Sequence, residues 1–117
     1  MTEKSLIKIV NVVLGIQNIN EIEYHLDGEY DPCILIKTDS GTLLLNVHEF
    51  ASKCKEWAFK QGFVMESYKD YFDKDWKCNS IEFYGEENNS IETLHNAESE
   101  YGAVFFSCLY ILNRVKS

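Results

Sequence analysis

The chain has 117 residues, 11 Lys and Arg against 19 Asp and Glu, a formal charge of −8 and an isoelectric point near 4.8. This length predicts a single domain, and 45% hydrophobic with 14% aromatic residues exclude a disordered chain. The acidic balance argues against binding nucleic acid or an anionic membrane surface. No apolar run reaches the roughly 18 residues of a membrane span.

Residues 2–17 read as a helix, with Leu6, Ile9, Val10, Val13 and Leu14 recurring at spacings of three and four. Thr2 or Ser5 is available as a cap and Gly15 as a stop, while the β-branched residues leave a strand as the alternative. The start has no form of an export signal, since Glu3 sits beside Lys4 and no small-residue cleavage site follows, so a cytoplasmic protein is expected. In residues 20–31, Ile22, Tyr24 and Leu26 alternate with Glu21, Glu23 and His25, the period of a half-buried strand. Asp27-Gly28 and Pro32 mark the connection onward. Residues 33–46 form the clearest hairpin, two apolar arms around Asp39-Ser40-Gly41, and their near-continuous hydrophobicity predicts strands covered on both faces.

A helix follows directly. Asn46 and Glu49 stand as in a capping box, and Val47, Phe50, Ala51, Cys54, Trp57, Ala58 and Gln61 trace one stripe up to Gly62. Strands are predicted at 63–68, 77–84 and 90–95, separated by an acidic and aromatic linker at 70–76 and a polar turn at 85–89. The last helix is predicted over 97–115, capped by Asn96, with Tyr101, Val104, Phe105, Cys108, Leu109, Ile111, Leu112 and Val115 as its apolar face and Arg114 with Lys116 at its end. This order predicts an α+β fold: one domain, a mainly antiparallel sheet of about five to six short strands, and two or three helices packed on it.

Motifs that carry chemistry are sparse. Cys33, Cys54, Cys78 and Cys108 form no C-x-x-C pair and are expected as free thiols, with Cys54 and Cys108 on apolar helix faces and Cys33 and Cys78 less buried. His25, His48 and His95 fall in separate elements, and His48-Glu49 lacks the second histidine of a zinc-binding helix. No nucleophile elbow or phosphate-binding glycine loop occurs. No catalytic residue, metal or cofactor is therefore assigned.

One feature rises above this background. Between residues 66 and 87, Glu66, Asp70, Asp73, Asp75, Glu82, Glu86 and Glu87 face only Lys69, Lys74 and Lys77, and Tyr68, Tyr71, Phe72, Trp76, Phe83 and Tyr84 are interleaved with them. Aromatic anchors ringed by charge are favoured at protein interfaces. Tyr71, Asp73, Asp75, Trp76, Glu86 and Glu87 are accordingly the candidate partner-binding residues, with Tyr71, Phe72 and Trp76 placed in a polar linker that can hardly bury all three.

Two stretches, residues 49–63 (EFASKCKEWAFKQGF) and 98–114 (ESEYGAVFFSCLYILNR), resemble small uncharacterised proteins of bacteriophages and prophages. In those, a K-x-W-A helix ending in Gly-aromatic leads into a short antiparallel sheet, and a closing helix packs across it. The resemblance implies a fold for the second half and a phage-like setting, and brings no activity. The chain departs from it by an extra helix, strand and hairpin before residue 47.

These features together predict a non-enzymatic cytoplasmic module that binds another, basic protein, in its most concrete form an inhibitor, immunity or anti-defence protein acting on a nucleic-acid-handling partner. Two alternatives stay open: a small enzyme whose site assembles from scattered His, Cys and carboxylates, and a self-associating module, a homodimer, using the Leu43-Leu44-Leu45 arm or the first helix.

Overall fold

A computed structural model describes residues 1–25, 32–84 and 89–115. Contacts within the chain divide it into two compact units, Met1–Lys53 and Cys54–Ser117.

In the first unit, α1 (Glu3–Leu14) begins where the Thr2 hydroxyl accepts the Ser5 N–H and ends where Gly15 takes a left-handed φ of 69°. Its stripe Leu6, Ile9 and Val10 is fully buried, and the helix lies against β1. β1 (Ile19–His25), β2 (Cys33–Thr38) and β3 (Gly41–Asn46) form an antiparallel sheet in that order. Register aligns Ile22 with Ile36, and Ile34 with Leu45, so one face carries the buried isoleucines. The other face sets Lys37 within 3.3 Å of Glu21 and 3.7 Å of Glu23. Leu26 and the Asp27-Gly28 turn lie outside the described residues.

β3 corrects the expectation of a hairpin covered on both faces. Ile34 and Ile36 of β2 are buried, but Leu43 and Leu44 of β3 are 44% and 66% exposed. The physical reason is position: β2 has a neighbour on each side, whereas β3 has only β2 among the described strands. Three consecutive leucines read alike whether a strand is central or at an edge.

The helix α2 (Val47–Lys60) starts as its sequence suggests, with Asn46 Oδ1 accepting the N–H groups of His48 at 2.9 Å and Glu49 at 3.1 Å. Past its end Gly62 adopts a φ of 90°, the conformation for which glycine is suited. The division between the two units falls within this helix.

In the second unit, β4 (Phe63–Lys69), β5 (Trp76–Tyr84) and β6 (Asn89–Ala97) make another antiparallel sheet in sequence order, and α3 (Glu100–Val115) lies across all three strands. Phe63, Cys78, Val104, Phe105, Cys108, Ile111 and Leu112 are buried there. Two boundaries differ from expectation. The α3 cap is Ser99, whose hydroxyl accepts the Gly102 N–H, while Asn96 belongs to β6 opposite Lys77. Trp76 opens β5 rather than belonging to the linker before it.

The α+β class stands, but the six described strands form two three-stranded sheets instead of one. Strands joined by short turns pair with their sequence neighbours. Between β3 and β4 the chain instead forms the 14-residue α2, and the strand ladder is interrupted there.

Candidate functional site

The linker expected at 70–76 is the ordered tip of the β4–β5 hairpin. Its base closes where the Asp70 N–H donates to the Asp75 carbonyl at 2.9 Å. Inside that rung, the Lys74 N–H donates to the Asp70 carbonyl at 2.8 Å, and Lys74 turns the chain back with a left-handed φ of 64°. Two aspartate side chains hold the loop from within: Asp70 Oδ1 accepts the Phe72 N–H at 2.9 Å, and Asp73 Oδ1 accepts the Asp75 N–H at 3.0 Å. Such local bonds are the reason aspartate recurs in turns.

The second oxygen of Asp73 meets Lys77 Nζ at 2.6 Å, tying the tip to β5. Lys77 is only 7% exposed, its stem buried in the sheet and its ammonium reaching out to the loop. The ammonium, with help from the Asp75 N–H, holds the Asp73 carboxyl below its ordinary range, and Asp73 raises Lys77 in return.

This frame leaves two rings unsupported by the protein itself, Tyr71 at 86% and Phe72 at 100% exposure. Trp76 is half-buried, paired across the ladder with Lys69, whose ammonium lies 6.0 Å from the ring centroid. Asp73 is exposed and Asp75 half-buried. Tyr71, Asp73, Asp75 and Trp76 therefore gather at one end of the β4–β5 hairpin. Glu86 and Glu87 lie outside the described residues; Tyr84, the strand residue that leads to them, is at the far end of β5, about 26 Å along an extended strand from Trp76.

The sequence reading missed the part Lys77 plays. Its four-residue separation from Asp73 has meaning as a helical spacing, and here it links a loop to a strand, where no periodicity announces it. The turn-forming Asp-x-Asp pattern at 73–75 was the available signal.

The histidines and cysteines stay dispersed. His25 Nε2 contacts Glu23 at 3.4 Å on the sheet of the first unit, where Glu21 and Lys37 hold the Glu23 carboxyl below its usual range. His95 lies on β6 with its ring 5.5 Å from that of Tyr110, and burial lowers its pKa. All four cysteines are free; Cys78 is as buried as Cys54 and Cys108, contrary to expectation, because β5 is the middle strand of its sheet under α3. Burial pushes the Cys54 and Cys78 thiols up, away from the reactive thiolate. Among the described residues, no three His, Cys, Asp or Glu side chains converge as a metal-binding group. A groove in the first unit, lined by Leu14, Leu44, Leu45, Asn46, Glu49, Phe50 and Lys53, includes none of these histidines and cysteines.

No protein-family model matches the chain, and comparison with curated proteins and with solved structures yields no match.

Proposed function

We propose that this chain is a non-enzymatic module that binds a basic protein, with Tyr71 and Phe72 as its anchors. The observation that carries this reading is the near-complete exposure of two adjacent rings on a loop held in shape by its own hydrogen bonds. Burying one such ring against a partner is worth about 1.5–3 kcal/mol. A loop already ordered gives up little entropy on docking, so more of that energy appears as affinity.

The carboxylates take a different part from the one their number suggests. Over residues 69–77, Asp70, Asp73 and Asp75 are balanced by Lys69, Lys74 and Lys77, and two of the aspartates are engaged in shaping the loop. Attraction to a basic partner then comes from the charge of −8 on the whole chain, acting at long range on the encounter rate. Glu86 and Glu87 lie outside the described residues, beyond the end of β5 opposite the tip, and the proposed surface rests on Tyr71 and Phe72 without them. The finer form of the proposal is an inhibitor, immunity or anti-defence protein whose partner handles nucleic acid, because a surface rich in Lys and Arg for phosphate also attracts carboxylates.

The test is capture of a partner from the native host, followed by titration of the purified pair by calorimetry. With Tyr71→Ser and Phe72→Ser together, affinity should fall at least about 100-fold, the loss of two interface anchors. Raising salt from about 50 to about 500 mM should slow association of the unaltered chain. Nucleic acid should compete if the finer form holds. Unchanged affinity in the double variant, with its circular dichroism intact, refutes the proposal.

A further inference from the structure

The sheet of the first unit ends in two unlike edges. β1 carries Glu21, Glu23 and His25, a register irregularity between Ile19 and Glu21, and α1 lying against it. Charge, irregular register and a covering element all discourage the addition of another strand. β3, at the opposite edge, has neither the charge nor the irregularity: its sequence is Gly-Thr-Leu-Leu-Leu-Asn, its register with β2 is continuous, and it is the one described strand without a charged residue.

The ladder also shows where its main chain points. Val47 N–H donates to the Pro32 carbonyl at 3.0 Å, the rung beyond the strand ends. Antiparallel pairing alternates, so Leu45 and Leu43 direct their main-chain groups to β2, while Thr42 and Leu44 direct theirs to the open side. Beside that edge runs a groove of about 160 Å³ whose lining includes Leu14, Leu44, Leu45 and Phe50, with Glu49 and Lys53, of opposite charge, both from α2.

We propose that β3 pairs antiparallel with β3 of a second copy of the chain, about a twofold axis at Leu43, joining two three-stranded sheets into one of six strands. In that register Thr42 exchanges two N–H···O bonds with Leu44 of the second copy, and Leu44 two with its Thr42. No bond is needed from Asn46, whose side-chain oxygen caps α2. Leu43 faces Leu43 of the second copy in a non-hydrogen-bonded pair, where cross-strand side chains lie closest. Charge restricts where a second copy can dock. Two chains of −8 repel over most of their surface, and an uncharged strand that is its own complement under twofold rotation lets them meet without like charges opposed. Six residues per copy supply less than the roughly 800 Å² per partner of a stable complex, so the dimer is weak and dissociates on dilution.

Sedimentation equilibrium from about 10 μM to about 1 mM, a range that spans weak association, should show the unaltered chain passing from monomer to dimer. Leu44→Lys, which places a charge on an exposed edge position, should raise the dissociation constant at least about tenfold. Under oxidised glutathione, Leu43→Cys should form a covalent dimer that the unaltered chain, with its own four cysteines, does not. Thr42→Cys, which faces Leu44 of the second copy and not its own counterpart, should cross-link far more slowly. This cysteine pair also decides the matter if the lysine variant does not fold. A monomer throughout the concentration range, an undiminished dimer in folded Leu44→Lys, or equal cross-linking of both cysteine variants overturns the proposal.

Discussion

Asp73 serves two neighbours with its two oxygens: one accepts the Asp75 N–H and shapes the turn, and the other holds the Lys77 ammonium. The pH dependence of this pair follows from the direction of each shift. Asp73 stays ionised in the folded chain to lower pH than in the unfolded one, so its contribution is complete above its ordinary value of 3.8 and disappears as pH falls through the lowered folded value. Lys77 has a raised pKa, so its contribution is complete below 10.5 and disappears as pH rises through the raised value. Asp73→Asn should therefore melt below the unaltered chain near neutral pH. The two should converge in acid, as pH falls through that lowered folded value and the carboxyl is protonated in the folded chain as well as the unfolded one. Thermal denaturation followed by circular dichroism at both pH values checks this, and a difference that persists undiminished in acid would assign the effect to packing instead.

Among the elements, α2 was the most legible because several independent signals agree. Its cap and the glycine beyond its end are observed at their expected offsets, and the stripe is buried at Val47, Phe50, Ala51, Cys54 and Ala58, while Trp57 is half-buried and Gln61, at the end, is exposed. Since the Asn46 side chain satisfies two otherwise unpaired N–H groups, Asn46→Ala should cost about 1 kcal/mol, read as a lower denaturation midpoint in urea with an unchanged slope. A loss indistinguishable from zero would mean that water replaces the cap. The start of α3 was less legible because Asn96 and Ser99 are equally good caps in isolation. Pairing decided between them: β6 continues to Ala97 opposite Trp76, which holds Asn96 within the strand. β3 failed for a related reason, since hydrophobic character records what a strand can bury and not whether a neighbour is present to bury it.

At the scale of the whole molecule, the order of elements was readable and their grouping was not. Turn residues announce that neighbouring strands pair, as they do within both sheets. Nothing local to Asn46 or Phe63 states that a helix between them ends one sheet and begins another. The candidate site was legible in part for the same reason. The rings of Tyr71 and Phe72 stand outside the fold as their polar surroundings imply, while Trp76 is drawn into β5 by its pairing with Lys69 and Ala97.

The placement of the four thiols makes the protein its own reporter of opening. Cys54, Cys78 and Cys108 are shielded and all belong to the unit that begins at Cys54, whereas Cys33, in the other unit, is partly accessible. Under native conditions iodoacetamide should add rapidly at Cys33 alone, giving a single mass increment, and the remaining three should follow only at the rate at which the Cys54–Ser117 portion unlocks. Peptide mass mapping over time then measures that portion's breathing without any engineered label, and rapid alkylation of all four sites in the native protein would contradict the buried placement of the three.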